Sequence, residues 1–291
     1  MPVYKKLGLK KKYYSPISSK DFNAIAAPPV QEHPHSVTLP AQTALYKNAL
    51  PPTKESIAQF NNNGYCILKN FFSPGDAEKI NDEIKRLMSN GMVKLNSSNK
   101  IMFAINKSQQ LSAIANDAIL LELLSALLGG EAVLFQSINF LQGSEQETHS
   151  DSIHMTTHPP GGLLGVWIAL EDITDENGPL HYYPGSHALP YYLNSDYCNE
   201  GNRWLLGPYD YTEYEKMIRN KLHQHKLQKR TFTAAKGDVL IWHANLLHGG
   251  EPHMDTSRTR KSMVLHYFKK GSVCYHEITQ RPALFAKSSH S

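Results

Sequence analysis

The chain has 291 residues, 41% of them hydrophobic and 19% charged, which is enough apolar material for a large core and excludes a disordered or fibrous protein. With 30 Lys and Arg against 26 Asp and Glu, the net charge of +4 is too small to imply nucleic-acid binding across the whole surface, so none is expected. The three scattered cysteines, Cys66, Cys198 and Cys274, form no disulfide framework or CxxC motif, no apolar run approaches the ~18 residues of a membrane span, and no secretory signal opens the chain, so a reducing, cytoplasmic setting is expected.

Residues 1–50 are rich in Pro, Ser and Lys, with a basic cluster at Lys5, Lys6, Lys10, Lys11 and Lys12, and read as an extended basic arm. A single folded domain is expected over 51–291. Thr53 can cap a helix through Phe60 that the Asn-Asn-Asn-Gly run at 61–64 stops, and Tyr65 to Asn70 reads as a buried strand. Ser73 and Pro74 open the next helix, where Ala77, Ile80, Ile84, Leu87 and Met88 recur at helical spacing until Gly91. A third helix is predicted over Asn116 to Leu128, apolar around much of its circumference.

Beyond Gly130 the period becomes strand-like. Segments 132–142, 163–172, 179–183, 238–243 and 262–268 are short, aromatic or β-branched, and separated by turn residues, which predicts an antiparallel β core with flanking helices. The exception is 210–228, where Tyr214, Met217, Ile218 and Leu222 share one helical side and predict a helical insertion.

The 15 histidines direct attention to metal-ligand spacing. In His149-Ser150-Asp151, after a predicted strand, alternate residues of an extended backbone point the same way, so two ligands can reach one ion. The best third ligand is His248, in a turn after the strand of KGDVLIWH. Two His and one carboxylate on one face of an octahedral ion leave three positions open, which suits Fe(II) and oxygen chemistry better than a closed zinc site. A hydrogen-bonded structural His–Asp pair is the plainer alternative. Farther on, Arg260 and Ser262 share a strand face, and a guanidinium fork with a hydroxyl suits the far carboxylate of a dicarboxylic cosubstrate. A surface Arg paired with an acid is the alternative there.

The order H-x-D, GVWIALEDITDENGPLHYYPGSH, GDVLIWHANLLHGG and RKSMVLHYF resembles the phytanoyl-CoA dioxygenase family of Fe(II)- and 2-oxoglutarate-dependent oxygenases. The opening FNNNGYCILKNFFSPGDAEKINDEI is similar as well, and the resemblance covers about 54–270. It implies a double-stranded β-helix, a cupin-like jelly roll with iron at its mouth. It also implies His149, Asp151 and His248 as metal ligands and catalytic centre, with Fe(II), 2-oxoglutarate and O2 as cofactors. Arg260, assisted by Ser262, would hold the distal carboxylate of 2-oxoglutarate, and Gln136, Asn139 and Trp167 would lie at the same cosubstrate. His248 to Arg260 is one residue longer than the family pattern, which leaves Arg258 as a competitor, and Gly250 stands where several relatives carry Ser. The stretch SIHMTTHPPGG would sit at the pocket mouth, so His154 and His158 are candidate substrate contacts beside a structural role.

Of the other histidines, His187 reads as fixing a loop, and His243 and His266 as packed or hydrogen-bonded within strands. There is no P-loop and no dinucleotide fingerprint. The expected reaction is hydroxylation of a C–H bond of a small molecule with release of succinate and CO2, and the carboxylate of Asp151 favours it over halogenation. The competing readings are a non-catalytic metal- or carbohydrate-binding jelly roll and a zinc hydrolase with the same ligands. Loop 191–209, with Tyr191, Tyr192, Tyr197, Trp204 and Tyr209, joins the insertion as the expected pocket rim.

Overall fold

Twelve strands organise the computed structural model, which describes Lys5, Leu9, Lys11, Lys12 and residues 15–22, 38–202 and 205–285, the last five as backbone alone. In chain order the strands are β1 (Tyr65–Leu68), β2 (Lys100–Met102), β3 (Ala132–Phe140), β4 (Thr156–His158), β5 (Leu163–Ala169) and β6 (Leu180–Tyr182). They continue with β7 (Arg230–Phe232), β8 (Val239–His243), β9 (His248–Gly250), β10 (Ser262–Lys269), β11 (Val273–His276) and β12 (Arg281–Phe285). One antiparallel sheet runs β1-β8-β5-β10-β3-β2, and two smaller ones run β7-β6-β9 and β12-β11-β4. Lys6, Lys10 and Trp204 lie outside the described residues.

The large sheet is covered on both faces, and strand alternation divides most of its side chains. Cys66, Leu68, Val166, Ile168, Ile241, Met263 and Leu265 face helices Pro51–Ala58, Pro74–Ser89, Gln109–Ala115 and Ala118–Leu128. Tyr65, Trp167, Leu240, Trp242 and Val264 face inward and meet Leu180, Tyr182 and Phe232 of the β7-β6-β9 sheet. Two facing antiparallel sheets with helices outside are the expected jelly roll.

Helix punctuation follows the sequence closely. Ser73 caps Pro74–Ser89 by accepting from the Asp76 amide at 3.1 Å. Gly64, at φ +78°, closes the turn Phe60–Asn63, so the asparagines belong to the helix and the glycine alone stops it. The third helix is capped by Asp117 and spans Ala118–Leu128, with Gln109–Ala115 an unforeseen helix before it. Among the described residues no single helix is long and apolar enough to cross a membrane. The insertion is the helix Tyr211–His225, capped by Asp210, with Tyr214 and Ile218 buried and Met217 and Leu222 packed beside them.

The extended arm does not hold over 15–22 and 38–48. Short helices form at Thr38–Gln42 and Ala44–Asn48. Farther upstream, the Ile17 amide donates to the Gln280 carbonyl at 3.1 Å, and the Ser19 amide and hydroxyl both donate to the Glu277 carboxylate at 2.9 Å. The Phe22 ring stacks on His158 and Tyr275 at 4.8 and 4.9 Å. These partners of Ile17, Ser19 and Phe22 lie more than 100 residues away, so no local period announces the contact.

Candidate metal centre and cosubstrate pocket

His149 and His248 are joined through their backbones. Each amide donates to the other's carbonyl at 2.9 Å, which extends the β7-β6-β9 sheet by one bridge and brings two segments a hundred residues apart into register. Both imidazoles then follow one local rule. Nδ1 of His149 donates to the Glu147 carbonyl at 2.8 Å and Nδ1 of His248 to the Leu246 carbonyl at 2.9 Å. The backbone therefore fixes the tautomer and leaves each Nε2 unprotonated, as a metal ligand requires, with that of His149 accepting a long hydrogen bond from the Gln146 amide at 3.3 Å.

Asp151 opens the short helix Asp151–Ile153 and is buried. Its Oδ2 accepts the Trp242 indole N–H at 2.7 Å, while Oδ1 lies 3.8 Å from Nε2 of His248. Burial opposes its ionisation, but electrostatic interaction with His248, followed by the hydrogen bond and electrostatic interaction with His266, outweighs that and holds the carboxyl far below the usual range. Burial, reinforced by His248 and His154, keeps His149 neutral well below the usual histidine range. Ligand atoms from His149, Asp151 and His248 lie within 4.8 Å of one another. Two neutral imidazole nitrogens and an ionised carboxylate oxygen are a donor set for Fe(II) or a similar divalent ion.

Trp242 reaches Asp151 across a glycine. A Cβ at Gly165, opposite Trp242 in β5, would lie 2.2 Å from the indole, so glycine is the residue that lets the ring lie flat over the strand. His266 stands behind the same carboxylate. Its Nδ1 faces the Gln136 amide at 3.1 Å, which leaves Nε2 to carry the proton toward Oδ2 of Asp151 at 3.5 Å. Neither Trp242 nor His266 is marked by the H-x-D motif, although both lie in strands whose parity turns them inward.

The triad opens into a cavity of about 820 Å³ that Arg260, Trp167, Gln136 and His154 also line. Arg260 is buried, and its charge has no carboxylate partner there. Nη1 donates to the Ser262 hydroxyl at 2.8 Å, Nε has no partner, and the guanidinium lies 5.3 Å from the Phe140 ring and 5.7 Å from that of Trp167. Burial pulls it down to about 10. Arg258 is spent elsewhere, donating to Thr174 at 3.1 Å and pairing with Glu176 at 2.6 Å. Buried Asn177, from the DENGP block, donates to the Thr259 carbonyl at 2.9 Å and so fixes the chain just before Arg260. Lys100 and Gln146, which the sequence did not single out, also line the cavity, joined at 3.0 Å.

The remaining expectations divide. Ser262 is fully buried and props the guanidinium without lining the cavity. Asn139 is also absent from the wall. An odd separation from Gln136 along β3 turns it to the helix side, opposite Met263. His154 meets the Tyr211 hydroxyl at 3.0 Å on the cavity wall, with burial, then His276, lowering it to about 3. His158 is withdrawn from the cavity, because β4 pairs it with Val273 and its ring lies against Phe22. His187 faces the Asn61 carbonyl at 3.0 Å and fixes the loop as expected.

Comparison with known proteins meets this geometry. A phytanoyl-CoA dioxygenase (PhyH) family profile matches residues 60–262. An ectoine dioxygenase of Sphingopyxis alaskensis is 27% identical over 230 residues, covering 70% of this chain and 72% of the relative. A phytanoyl-CoA dioxygenase domain-containing protein 1 of Danio rerio is 33% identical over 109 residues, covering 36% of this chain and 33% of the relative. Among solved structures, the non-heme alpha ketoglutarate dependent carbocyclase SnoK from nogalamycin biosynthesis superposes with a TM-score of 0.62 at 15% identity, covering 80% of this chain and 89% of that one. EctD of S. alaskensis with 2-oxoglutarate and 5-hydroxyectoine gives 0.57 at 22% identity, covering 76% and 78%. The profile spans every strand from β1 through β9 and contains all three clustered ligands, so the chain belongs to the phytanoyl-CoA dioxygenase family.

Proposed function

We infer that this chain is an Fe(II)- and 2-oxoglutarate-dependent dioxygenase that hydroxylates a C–H bond of a small molecule. One observation carries the reading: a buried guanidinium without a carboxylate partner shares a cavity with a His-Asp-His cluster. A buried charge left alone is costly, and a site that keeps one is made for an anion. A hydrolase would have no use for Arg260, which counts against the zinc reading.

In this account His149, Asp151 and His248 hold the metal, and Arg260, steadied by Ser262, takes the distal carboxylate of 2-oxoglutarate. Iron bound there supplies activation of O2 coupled to oxidative decarboxylation of 2-oxoglutarate to succinate and CO2. The protein's part is aim and shelter. Trp242 and His266 hold the Asp151 carboxylate from behind, so its other oxygen faces the ligand cluster. The stacked aromatic walls of Phe140 and Trp167 exclude water around the guanidinium and strengthen its grip on a carboxylate.

Anaerobic titration of Fe(II)-loaded protein with 2-oxoglutarate, followed by the visible charge-transfer band of the chelate, tests this. The wild type should develop the band, and Asp151→Ala should lose it. Arg260→Ala should weaken 2-oxoglutarate binding by roughly 2 to 5 kcal/mol. A folded, iron-loaded wild type without the band would refute the reading, and a loss in Arg258→Ala instead would move the carboxylate partner.

A further inference from the structure

The cavity has a second end whose construction is unlike the first. Positive charge gathers around one ring: Arg260 lies 5.3 Å and Lys100 5.9 Å from the centre of Phe140. Away from it stand Phe103, Phe135 and Phe268, with ring centres 6.4 Å apart for the first pair and 4.9 Å for the second, each pair edge to face. Phe103 and Phe135 remain 37% and 42% exposed, a costly placement for two phenylalanines side by side.

Two separate backbone irregularities aim these rings. The register of β3 against β10 passes from Gln136 opposite His266 to Leu134 opposite Tyr267, so Phe135 is the extra residue of a β-bulge. Without the bulge, Phe135 and Gln136 would point to opposite faces; with it, both line the cavity. Phe103 sits in the left-handed region, at φ 57° and ψ 30°, a conformation uncommon for any side chain and unfavourable for a bulky one. Its amide is held there by the Ser137 carbonyl at 2.8 Å. Core packing explains neither, since both rings reach solvent.

Thr279 also lines the cavity, and its hydroxyl oxygen is buried without a hydrogen-bond partner. Asp151 is the only carboxylate on the wall among the described residues, and it belongs to the metal cluster. A cationic substrate would find no counter-charge, and an anionic one would find cations only at the cosubstrate end.

We propose that this end binds an uncharged molecule carrying a flat ring system, with the rings against Phe103 and Phe135. The proposal rests on the oxygenase reading for the reaction but not for the binding. It assigns Phe103 and Phe135 as specificity residues, and their strained or bulged backbones as the devices that set ring separation.

Saturation-transfer NMR on the metal-free full chain, with 2-naphthol, 2-naphthoate, 2-naphthylmethylammonium and coenzyme A as probes, tests it. The neutral naphthol should bind at least tenfold more tightly than either charged analogue or coenzyme A. Phe135→Ala and Phe103→Ala should each weaken it at least fivefold, whereas Met254→Ala, on an exposed side chain outside the cavity, should leave it unchanged. Phe135→Leu, which keeps apolar bulk but removes the ring face, should weaken it as well, and it serves if an alanine variant fails to fold. A charged probe binding more tightly, equal binding by the phenylalanine variants, or no binding of naphthol would overturn the proposal. Binding of 2-oxoglutarate to the manganese-loaded protein is read in parallel. Its failure beside the expected naphthol pattern would remove the oxygenase reading and leave the platform standing.

Discussion

Arg260→Met should make the protein more stable and less able to bind its cosubstrate. Burial draws the guanidinium down to about 10 from an ordinary 12.5, and at about 1.4 kcal/mol per tenfold the charged form carries a penalty of roughly 3 kcal/mol. The sign is that of a base disfavoured on folding. The penalty is present in full below pH 10 and fades only as the pH climbs toward the ordinary value, so neutral solution feels all of it. The hydrogen bond to Ser262 and the contacts with Phe140 and Trp167 return about 1 to 2 kcal/mol. Methionine keeps the apolar stem without the charge, so a net gain of about 1 kcal/mol is expected, or about 2 °C in melting temperature. Thermal unfolding at pH 7 reads this directly. Adding 2-oxoglutarate and Mn(II) at a hundredfold excess over the dissociation constant should stabilise the wild type by about 2.7 kcal/mol and the variant hardly at all. A variant that melts below the wild type without ligand, or gains as much from 2-oxoglutarate, would refute the argument that Arg260 is held in reserve for an anion.

Three further outcomes follow from the same geometry. Trp242→Phe removes the donor to Asp151 and should lower metal affinity by about 10- to 100-fold by calorimetry, with the fold intact by circular dichroism. Gly165→Ala drives a methyl into the indole and should cost about 1 to 3 kcal/mol in urea unfolding while reproducing the metal defect. Glu83, hydrogen-bonded to Arg86 through both oxygens and also to Ser108, is lowered to about 2. Its stabilisation is present above 4.5 and lost as pH falls through 2, so the melting-temperature gap between wild type and Glu83→Gln should close over that interval.

The sequence carried most of the frame because its periods are local. Ser73-Pro74 opened its helix and the six predicted strands stand as β1, β3, β5, β6, β8 and β10, each trimmed or extended by a few residues. The strands it did not show are β2, β4, β7 and β9, of three residues each, and β11 and β12, of four and five, all too short for a period to register strongly. At the site, the histidine and carboxylate spacing brought together three side chains that the fold does cluster. Asn139 was grouped with Gln136 by sequence likeness although strand alternation separates them, and the bulge at Phe135 lies outside that interval and does not restore the pair. The choice between Arg258 and Arg260 turned on one residue of spacing, a length fixed by long-range contacts such as Asn177 to the Thr259 carbonyl and the Arg260 amide to the Leu141 carbonyl. Pairing of Ser15–Phe22 with 275–280 depends on chain closure, which leaves no mark in either segment.

The reciprocal amide bonds between His149 and His248 also bear on how the centre fails. The bridge that registers these segments also sets the spacing of two of the three ligands, so opening it would part His149 from His248. Loss of a bound ion would then follow either the opening of this bridge or escape through the cavity mouth. The amide hydrogens of these two histidines become a clock for distinguishing the two routes.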